Sequence, residues 1–278
     1  MIKKADLHLE TRDYFLTKHR FDISKTSIHG VLITTPQPQE LDKYYDSEEY
    51  LSHDDSNNSL FAKLYRFARK LNIKSKFKLI SKYDQGGKVL DIGAGNGELV
   101  KYLVEERLDA QGFEPNEQAR KIAYQKGVRL LDHLPVRNKS FYKVIQMFHV
   151  LEHVRNPKEY LDEIHSMLED DGILIIALPN FKSLDARLFK NYWAGYDVPR
   201  HLFHFNKNGV INITKEKFQL LENKPMWFDS FYVSILSARY KKWAIPFLTG
   251  LGLGFVSNIS ALITSEPSSR IYILKKLK

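Results

Sequence analysis

The sequence predicts an α/β fold built on a doubly wound, mostly parallel sheet of about seven strands. Two observations predict it: short apolar runs alternate with amphipathic segments from residue 88 onward, and a glycine-rich turn follows the first run. Apolar runs of this kind are typical of parallel strands that are buried on both faces. We therefore expect helices on both faces of the sheet and a ligand at the carboxyl ends of its strands.

The predicted elements follow one another in a regular order. The strand segments are KVLDI, AQGFE, VRLL, YKVIQM and GILIIAL. The helical segments between them are GELVKYLVEER, NEQARKIAYQK and NPKEYLDEIHSML. The later segments MWFDSFYVSIL and SRIYILKK are predicted to form a closing antiparallel strand pair. Asn206 is predicted to cap a helix that runs through Ile213.

The chain divides into an extension over residues 1–59 and a main domain over residues 60–278. The extension contains a strand-like run at residues 31–33 and a polar loop over residues 52–58. A helical pattern of apolar residues begins at residue 60. Within the main domain, residues 181–205 form an insertion rich in aromatic and basic side chains, which we expect to roof the site as a lid.

Composition limits the classes of function. The chain of 278 residues has no cysteine, which excludes disulfides, thiolate zinc sites and cysteine nucleophiles. The first residues, MIKKADLHLE, lack the apolar core of a signal peptide, so we expect a cytoplasmic protein. The formal net charge of +9 is compatible with an anionic partner, although such a surplus more often serves solubility.

One segment, residues 243–263, is uncharged and about long enough to span a bilayer. It contains a proline, several glycines and several hydroxyl residues, and a strand-like run follows it. We therefore expect a buried or interfacial connection rather than a span, with peripheral contact to a membrane or lipid as the partner that this segment would take.

The glycine-rich turn indicates a ligand without phosphates. Gly93, Gly95 and Gly97 follow the first strand, where glycine lets the backbone turn tightly and approach a ligand. The third glycine of a dinucleotide fingerprint would stand at position 98, where this chain has Glu98. A carboxylate there would repel a pyrophosphate, and Asp91 before the glycines also favours a ligand with a cationic part.

Two further carboxylates complete a nucleoside pocket. Glu114 ends the second strand, where a carboxylate can accept hydrogen bonds from both ribose hydroxyls, and Pro115 and the predicted helix cap Asn116 follow it. Asp132 follows the third strand, where it is placed to receive an adenine amino group. The sequence therefore predicts a pocket for an adenosyl ligand without a phosphate subsite.

The region from residue 88 to residue 176 resembles a class I S-adenosylmethionine-dependent methyltransferase, on the motifs VLDIGAGNGELV, GFEPN and MFHVLEHV. The segments LPN at 178–180 and PRHLFHF at 199–205, with Trp193, are similar to bacterial methyltransferases of surface-sugar, lipid or quinone pathways. The resemblance implies a Rossmann-like fold and S-adenosylmethionine as the cofactor. Some such relatives carry a cysteine-rich zinc module before the catalytic domain, which here is absent or has lost its metal.

The resemblance also implies the residues that contact the cofactor. The predicted cofactor contacts are Asp91, Gly93, Ala94, Gly95, Gly97, Glu114, Pro115, Asp132, His133, Phe148 and His149.

The stretch from His149 to His153 reads H-x-x-E-H, which is also the zinc signature of one peptidase class. That alternative needs a helix through both histidines and a third ligand from a distant segment. Because the preceding YKVIQM reads as a strand, we favour a place at the rim of the cofactor cleft, and we predict no metal.

Methyl transfer mainly requires alignment of acceptor, methyl carbon and sulfur, with a base where the acceptor is a hydroxyl. The candidates for catalysis are His149, His153 and His201. The residues predicted to contact the acceptor are Trp193, Tyr196, Arg200 and His204, and packing inside the lid is the alternative for them.

Three classes of function remain. We favour a methyltransferase that acts on the oxygen or carbon of a small molecule, sugar or lipid-like acceptor. A nucleic-acid methyltransferase is the second class, but the fourth strand is followed by FHVL instead of the [D/N]-P-P-[Y/F] clamp of base-amine enzymes. A non-catalytic protein that binds S-adenosylmethionine is the third, and the carboxylates Asp91, Glu114 and Asp132 weigh against it.

Overall fold

The structure, a computed structural model, describes residues 2–44 and 60–278, with residues 42 and 60–69 described at the backbone only. The strands are β1 (Lys4–Arg12), β2 (Arg20–Thr26), β3 (Val31–Thr35), β4 (Val89–Ile92), β5 (Ala110–Phe113), β6 (Tyr142–Phe148), β7 (Leu168–Pro179), β8 (Phe203–Phe205), β9 (Phe218–Pro225) and β10 (Ser269–Lys276). The helices are α1 (Leu60–Ser81), α2 (Glu98–Glu105), α3 (Glu117–Gln125), α4 (Pro157–Met167), α5 (Leu184–Phe189), α6 (Lys207–Thr214), α7 (Asp229–Tyr240) and α8 (Pro246–Thr264). The loop predicted over residues 52–58 lies outside the described residues.

The central sheet confirms the predicted doubly wound architecture. Its six strands lie in the order β5-β4-β6-β7-β10-β9, with β4 to β7 parallel and β10 antiparallel to both of its neighbours. The segment VRLL contributes a single parallel bridge, from Leu131 to Phe113, in place of a full strand. The strand order reverses at β4, so the cleft for a ligand lies beyond the carboxyl ends of β4 and β6.

Both faces of the sheet are covered, as the apolar strands predict. Leu90 and Ile145 pack in one cluster with residues of α4, and Val89 and Val144 pack in another with residues of α1 and α2. Neighbouring residues of one strand point to opposite faces, which is why each strand serves both clusters. This packing fixes where each strand ends, and therefore where the loops of the cleft begin.

The predicted strand at residues 226–236 is wrong. The partner of β10 is β9, and residues 229–240 form α7 instead. The buried residues of α7 are Ser230, Ser234, Ser237 and Ala238, which recur every three or four positions. This helical spacing of small residues outweighs the strand preference of the aromatic residues between them.

A second sheet joins the extension to the lid. It is antiparallel, in the order β1-β2-β3-β8, and β8 comes from the predicted lid at residues 181–205. The strand predicted at residues 31–33 is confirmed and pairs with residues 203–205. The extension and the lid are therefore parts of one structural unit, while the domain boundary at residue 59 stays a prediction.

Helices α7 and α8 form a hairpin inserted between the neighbouring strands β9 and β10. The segment predicted to be a connection over residues 243–263 is mostly helical. Among the described residues, one helix, α8, is long and apolar enough to cross a membrane by length and composition, and 22% of its apolar stretch is buried.

Candidate active site

The turn after β4 has the backbone conformation that its glycines predict. Gly93, Gly95 and Gly97 all adopt positive φ angles, of 74°, 54° and 75°. A Cβ at Gly93 would lie 2.4 Å from Val150, whereas a Cβ at Gly95 would meet no atom of the described residues within 4 Å. The backbone at Gly95 is thus open to a ligand, while the amides of Gly93 and Ala94 are held by the carbonyl of Phe113.

Glu114 lies beside this turn at the end of β5. Its carboxylate accepts hydrogen bonds from the amide nitrogen of Gly95, at 2.8 Å, and from that of Asn116, at 2.9 Å. Each oxygen keeps a second lone pair, so the predicted bonds to a ribose are compatible with this geometry. Asn116, after Pro115, caps α3 as predicted by accepting a hydrogen bond from Ala119.

Asp132 and His133 lie further along the same edge of the sheet. Both side chains are exposed, and His133 Nδ1 lies 2.6 Å from Asp132 Oδ1. The histidine contact lowers the pKa of the Asp132 carboxyl. The contact of Asp132 with adenine and that of His133 with the cofactor stay predictions.

A lysine that the sequence analysis did not select lies within the site. Lys76, on α1, places its ammonium 4.0 Å from the centre of the Phe148 ring. Burial lowers the pKa of Lys76, and the negative charges of Asp91 and Asp229 oppose this shift. Burial raises the pKa of Asp91 to about 7, against the opposing charge of Lys76. In this site the Lys76 ammonium is therefore the cation that lies near two carboxylates and an aromatic ring.

His149 follows β6 directly, at the predicted carboxyl end of the strand, with a φ angle of 58°. Its Nδ1 lies 3.4 Å from Glu152 Oε1, and its Nε2 lies 3.1 Å from Asp229 Oδ2. Burial disfavours the imidazolium, but the two carboxylates outweigh burial and raise the pKa of His149 to about 10. With this pKa His149 is a cation at neutral pH, which disfavours its predicted role as a base. Its predicted contact with the cofactor stays a prediction.

The other two candidate histidines pack against each other beside Glu152. His153 lies in a 3-10 turn, Leu151–His153, so the helix that a peptidase signature requires is not formed here. The rings of His153 and His201 lie 4.7 Å apart, edge to face. Burial and the neighbouring His201 lower the pKa of His153 to about 4.

The residues predicted to contact the acceptor are instead buried in the lid. Trp193 donates its indole hydrogen to Asp185, at 2.7 Å, and packs edge to face on Tyr196. His204 lies 2.9 Å from Thr34 Oγ1. The structure therefore gives these side chains a packing role, because the lid and the extension enclose them.

Arg200 requires the same correction. Its guanidinium is 1% exposed and pairs with Asp13, at 3.0 Å, and with Asp197, at 2.6 Å. The role predicted for it, pairing with an anionic group of the acceptor, is taken by these two carboxylates. Arg200 connects the extension to the lid.

Comparison with known proteins identifies the family of this chain. Residues 64–216, more than half of the chain, match the family described as "Methyltransferase domain". The chain belongs to this methyltransferase family. S-adenosylmethionine is the cofactor that the family implies, as the sequence motifs predict.

Individual relatives match this methyltransferase either over a short part of the chain or at low sequence identity. An uncharacterized protein of Methanocaldococcus jannaschii is 40% identical over 100 residues, which cover 34% of this chain, and the chain spans 38% of that relative's length. A SAM-dependent methyltransferase from Archaeoglobus fulgidus is 18% identical, with a TM-score of 0.52 over 78% of this chain and 98% of that one. A putative sarcosine dimethylglycine methyltransferase from Galdieria sulphuraria is 12% identical, with a TM-score of 0.52 over 78% of this chain and 88% of that one. These two structures show the fold alone.

The residues of this methyltransferase fit an adenosyl sulfonium. The open backbone at Gly95 admits a close ligand, Glu114 offers acceptor lone pairs, and the buried Asp91 suits a cation. When bound, the cofactor supplies a methyl group that is already activated by its sulfonium.

Sequence reasoning missed three functional candidates: Lys76, Glu152 and Asp229. Glu152 lies within the H-x-x-E-H signature, where the sequence pattern gives it a role only in the peptidase alternative. Asp229 begins α7, and an interpretation of its segment as a helix would have placed it at a helix start. Lys76 has no local signal, because only the packing of α1 brings it to the sheet.

Proposed function

We propose that the protein transfers a methyl group from S-adenosylmethionine to a hydroxyl oxygen or a carbon of a small, lipid-like acceptor. The contact between His149, which follows β6, and Asp229, which begins α7, supports this proposal. A cleft beyond the carboxyl end of β6 would then open at the base of the α7–α8 hairpin. The apolar surface of that hairpin would bring a lipid-like acceptor to the cleft.

The hairpin supports a lipid-like acceptor through the distribution of its side chains. Helix α8 buries its small residues Gly250, Gly254, Ser257 and Ala261. The two glycines pack against α7, and Ser257 donates a hydrogen bond to Asp185 of α5. Its large apolar residues face outward: Leu248 is 60% exposed, Phe255 59%, Leu262 71% and Ile263 83%. A helix that buries small residues and exposes large apolar ones is suited to lipid contact.

We propose that this hairpin lies in the surface of a membrane and does not cross it. Helix α8 is followed by β10, which lies inside the central sheet between β7 and β9. A span would place the two ends of α8 on opposite sides of a bilayer and separate the hairpin from this sheet. The basic residues Arg239, Lys241 and Lys242 at the turn of the hairpin suit anionic headgroups.

The chemistry needs few groups from the chain. The acceptor atom forms a bond to the methyl carbon as the bond from carbon to sulfur breaks, and the electron pair of that bond stays on sulfur. The chain's part is to hold the reactants in line and to exclude water. The cation at His149 is placed to orient an acceptor oxygen.

The test follows labelled methyl from S-adenosylmethionine into three fractions of a cell extract: organic-soluble lipids, aqueous small molecules and RNA. We expect label in the organic-soluble fraction. The matched variant Glu114→Ala loses a carboxylate predicted to hold the ribose, so its cofactor affinity should fall by about 1–3 kcal/mol.

Label in RNA would favour a nucleic-acid methyltransferase, a class with which the net charge of +9 is compatible. Label in the aqueous fraction would retain methyl transfer but reject the lipid-like acceptor. Cofactor binding without any labelled product would favour a non-catalytic protein. A cytoplasmic location stays a prediction, and fractionation of cells would test it.

A further inference from the structure

A cluster of ligand-type side chains lies next to the proposed acceptor cleft. Glu152, His153 and His201 each offer one ligand atom, and these atoms all lie within 4.8 Å of one another. Glu152 and His153 belong to the turn after β6, and His201 comes from the lid. The amide of Leu202 donates to the Glu152 carbonyl at 2.7 Å, which holds the two segments together.

The carboxylate of Glu152 is buried without hydrogen bonds. Its side chain is 1% exposed, and neither oxygen has a hydrogen-bond partner among the described residues. His149 Nδ1 at 3.4 Å and His201 Nε2 at 4.0 Å are at ion-pair distances without hydrogen-bond geometry. A buried carboxylate is costly unless cations or donors compensate it. The His149 imidazolium lies at ion-pair distance on one side, and a metal ion would supply the direct contacts that the two oxygens lack.

The two histidines are held in the tautomer that metal binding requires. His153 Nδ1 lies 3.0 Å from the Arg200 carbonyl, and His201 Nδ1 lies 3.0 Å from the Gly195 carbonyl. A carbonyl oxygen only accepts, so in both rings Nδ1 carries the hydrogen and Nε2 carries the lone pair. Histidine ligands of metals typically donate their second nitrogen to a carbonyl in this way.

We propose that Glu152, His153 and His201 bind one first-row divalent metal ion, with zinc best matched to two imidazoles and one carboxylate. Ligand atoms around a tetrahedral zinc lie roughly 3.3 Å apart, so the present cluster would contract slightly on binding. Three protein ligands leave a position for water or for an oxygen of the acceptor. This inference departs from the sequence expectation that the protein holds no metal.

The use of this metal in catalysis rests on the proposed function, whereas the metal site itself does not. With a hydroxyl acceptor, the ion would hold the acceptor oxygen and favour the loss of its proton to solvent. That oxygen then forms the bond to the methyl carbon. With the ion bound, the acceptor hydroxyl would be activated without a separate base.

The first experiment titrates zinc alone into chelator-treated protein, without cofactor or acceptor, and follows the heat of binding. We expect one ion per chain. Glu152→Gln and His201→Ala should each lower the affinity at least tenfold, because each removes one of three ligands. His165→Ala is the matched control and should bind zinc as the original chain does, since His165 lies away from the cluster and contacts the Leu277 carbonyl.

Circular dichroism checks that each variant is folded. If His201→Ala fails to fold, Glu152→Gln still provides the test, because it keeps the shape of the side chain. Cobalt in place of zinc should give the intense visible absorption of a four-coordinate site. No zinc binding by the original chain, or equal binding by the chain and Glu152→Gln, would overturn the proposal.

The two proposals fail separately. Cofactor binding by Glu152→Gln tests the methyltransferase site without the metal. A chain that transfers methyl groups but binds no zinc would reject the metal alone, and a chain that binds zinc but transfers nothing would reject the proposed function alone.

Discussion

The Asp91 carboxyl shows how burial prepares a single residue for a cationic ligand. It lies at the end of β4, 4% exposed, and burial raises its pKa to about 7. An adjacent cation favours the ionised carboxylate and lowers the pKa again. Binding of a sulfonium and loss of the Asp91 proton are therefore coupled.

We expect the affinity for S-adenosylmethionine to weaken as the pH falls from 8 to 6. Below pH 7 the carboxyl is protonated in the free protein, and binding must first remove that proton, which amounts to about a tenfold loss between these limits. Calorimetric titration at several pH values measures this effect. Asp91→Asn has no proton to lose, so its affinity should be lower but flat with pH. An equally steep profile in that variant would assign the effect to another group.

Helix α8 exposes large apolar side chains and buries small ones, which is the reverse of an ordinary surface helix. Its glycines allow a close approach to α7: a Cβ at Gly250 would lie 2.4 Å from the Ile235 Cα, and one at Gly254 would lie 2.8 Å from the Phe231 Cα. The large side chains are therefore left on the outer face. A helix of 19 residues is about 28 Å long, which gives an extended apolar strip for lipid contact.

We expect the protein to sediment with vesicles that contain anionic lipid. The triple variant Leu248→Ser, Phe255→Ser and Leu262→Ser should lose at least about tenfold in vesicle affinity, because it removes apolar area that would be buried in the interface. The control is Val104→Ser with Tyr124→Ser, which removes exposed apolar side chains away from the hairpin. If high salt releases the original chain completely, the basic surface and not α8 is responsible.

At the scale of the whole molecule, one buried ion pair joins the extension to the lid. Arg200 of the lid pairs with Asp13 of the extension and with Asp197. Its guanidinium carbon lies 5.1 Å from the centre of the Phe15 ring. Asp13 also accepts hydrogen bonds from the amides of Leu16 and Thr17. The loop after β1 is thereby fixed against the segment that carries His201.

Replacing Arg200 by methionine should destabilise the protein by about 3–5 kcal/mol, since it leaves two carboxylates without their cation. Denaturant unfolding measures this loss. The control Lys4→Met removes an exposed pair with Asp22, at 3.9 Å, and should cost less than about 1 kcal/mol. Unchanged stability in Arg200→Met, together with a lost response to the acceptor, would restore the role in acceptor binding that the sequence suggested.

Features that depend on neighbours in the chain could be predicted from the sequence, whereas features that depend on distant segments could not. The glycines at 93, 95 and 97, the cap at Asn116 and the place of His149 after a strand were all predicted, because each depends on local backbone conformation or on strand order. Helix α7 is not predicted, because aromatic residues between the small ones obscure its period, and Asp229 at its start is missed with it. Lys76 has no local signal at all.

Glycine placement and apolar periodicity act through neighbours in the chain, so the family, the sheet and the glycine-rich turn after β4 can be predicted from the sequence. The roles of Arg200 and of the aromatic residues of the lid cannot, because burial and partners depend on segments distant in the chain. The same holds for H-x-x-E-H: the turn after β6 excludes the peptidase helix, and the packing of the lid brings His201 to Glu152 and His153.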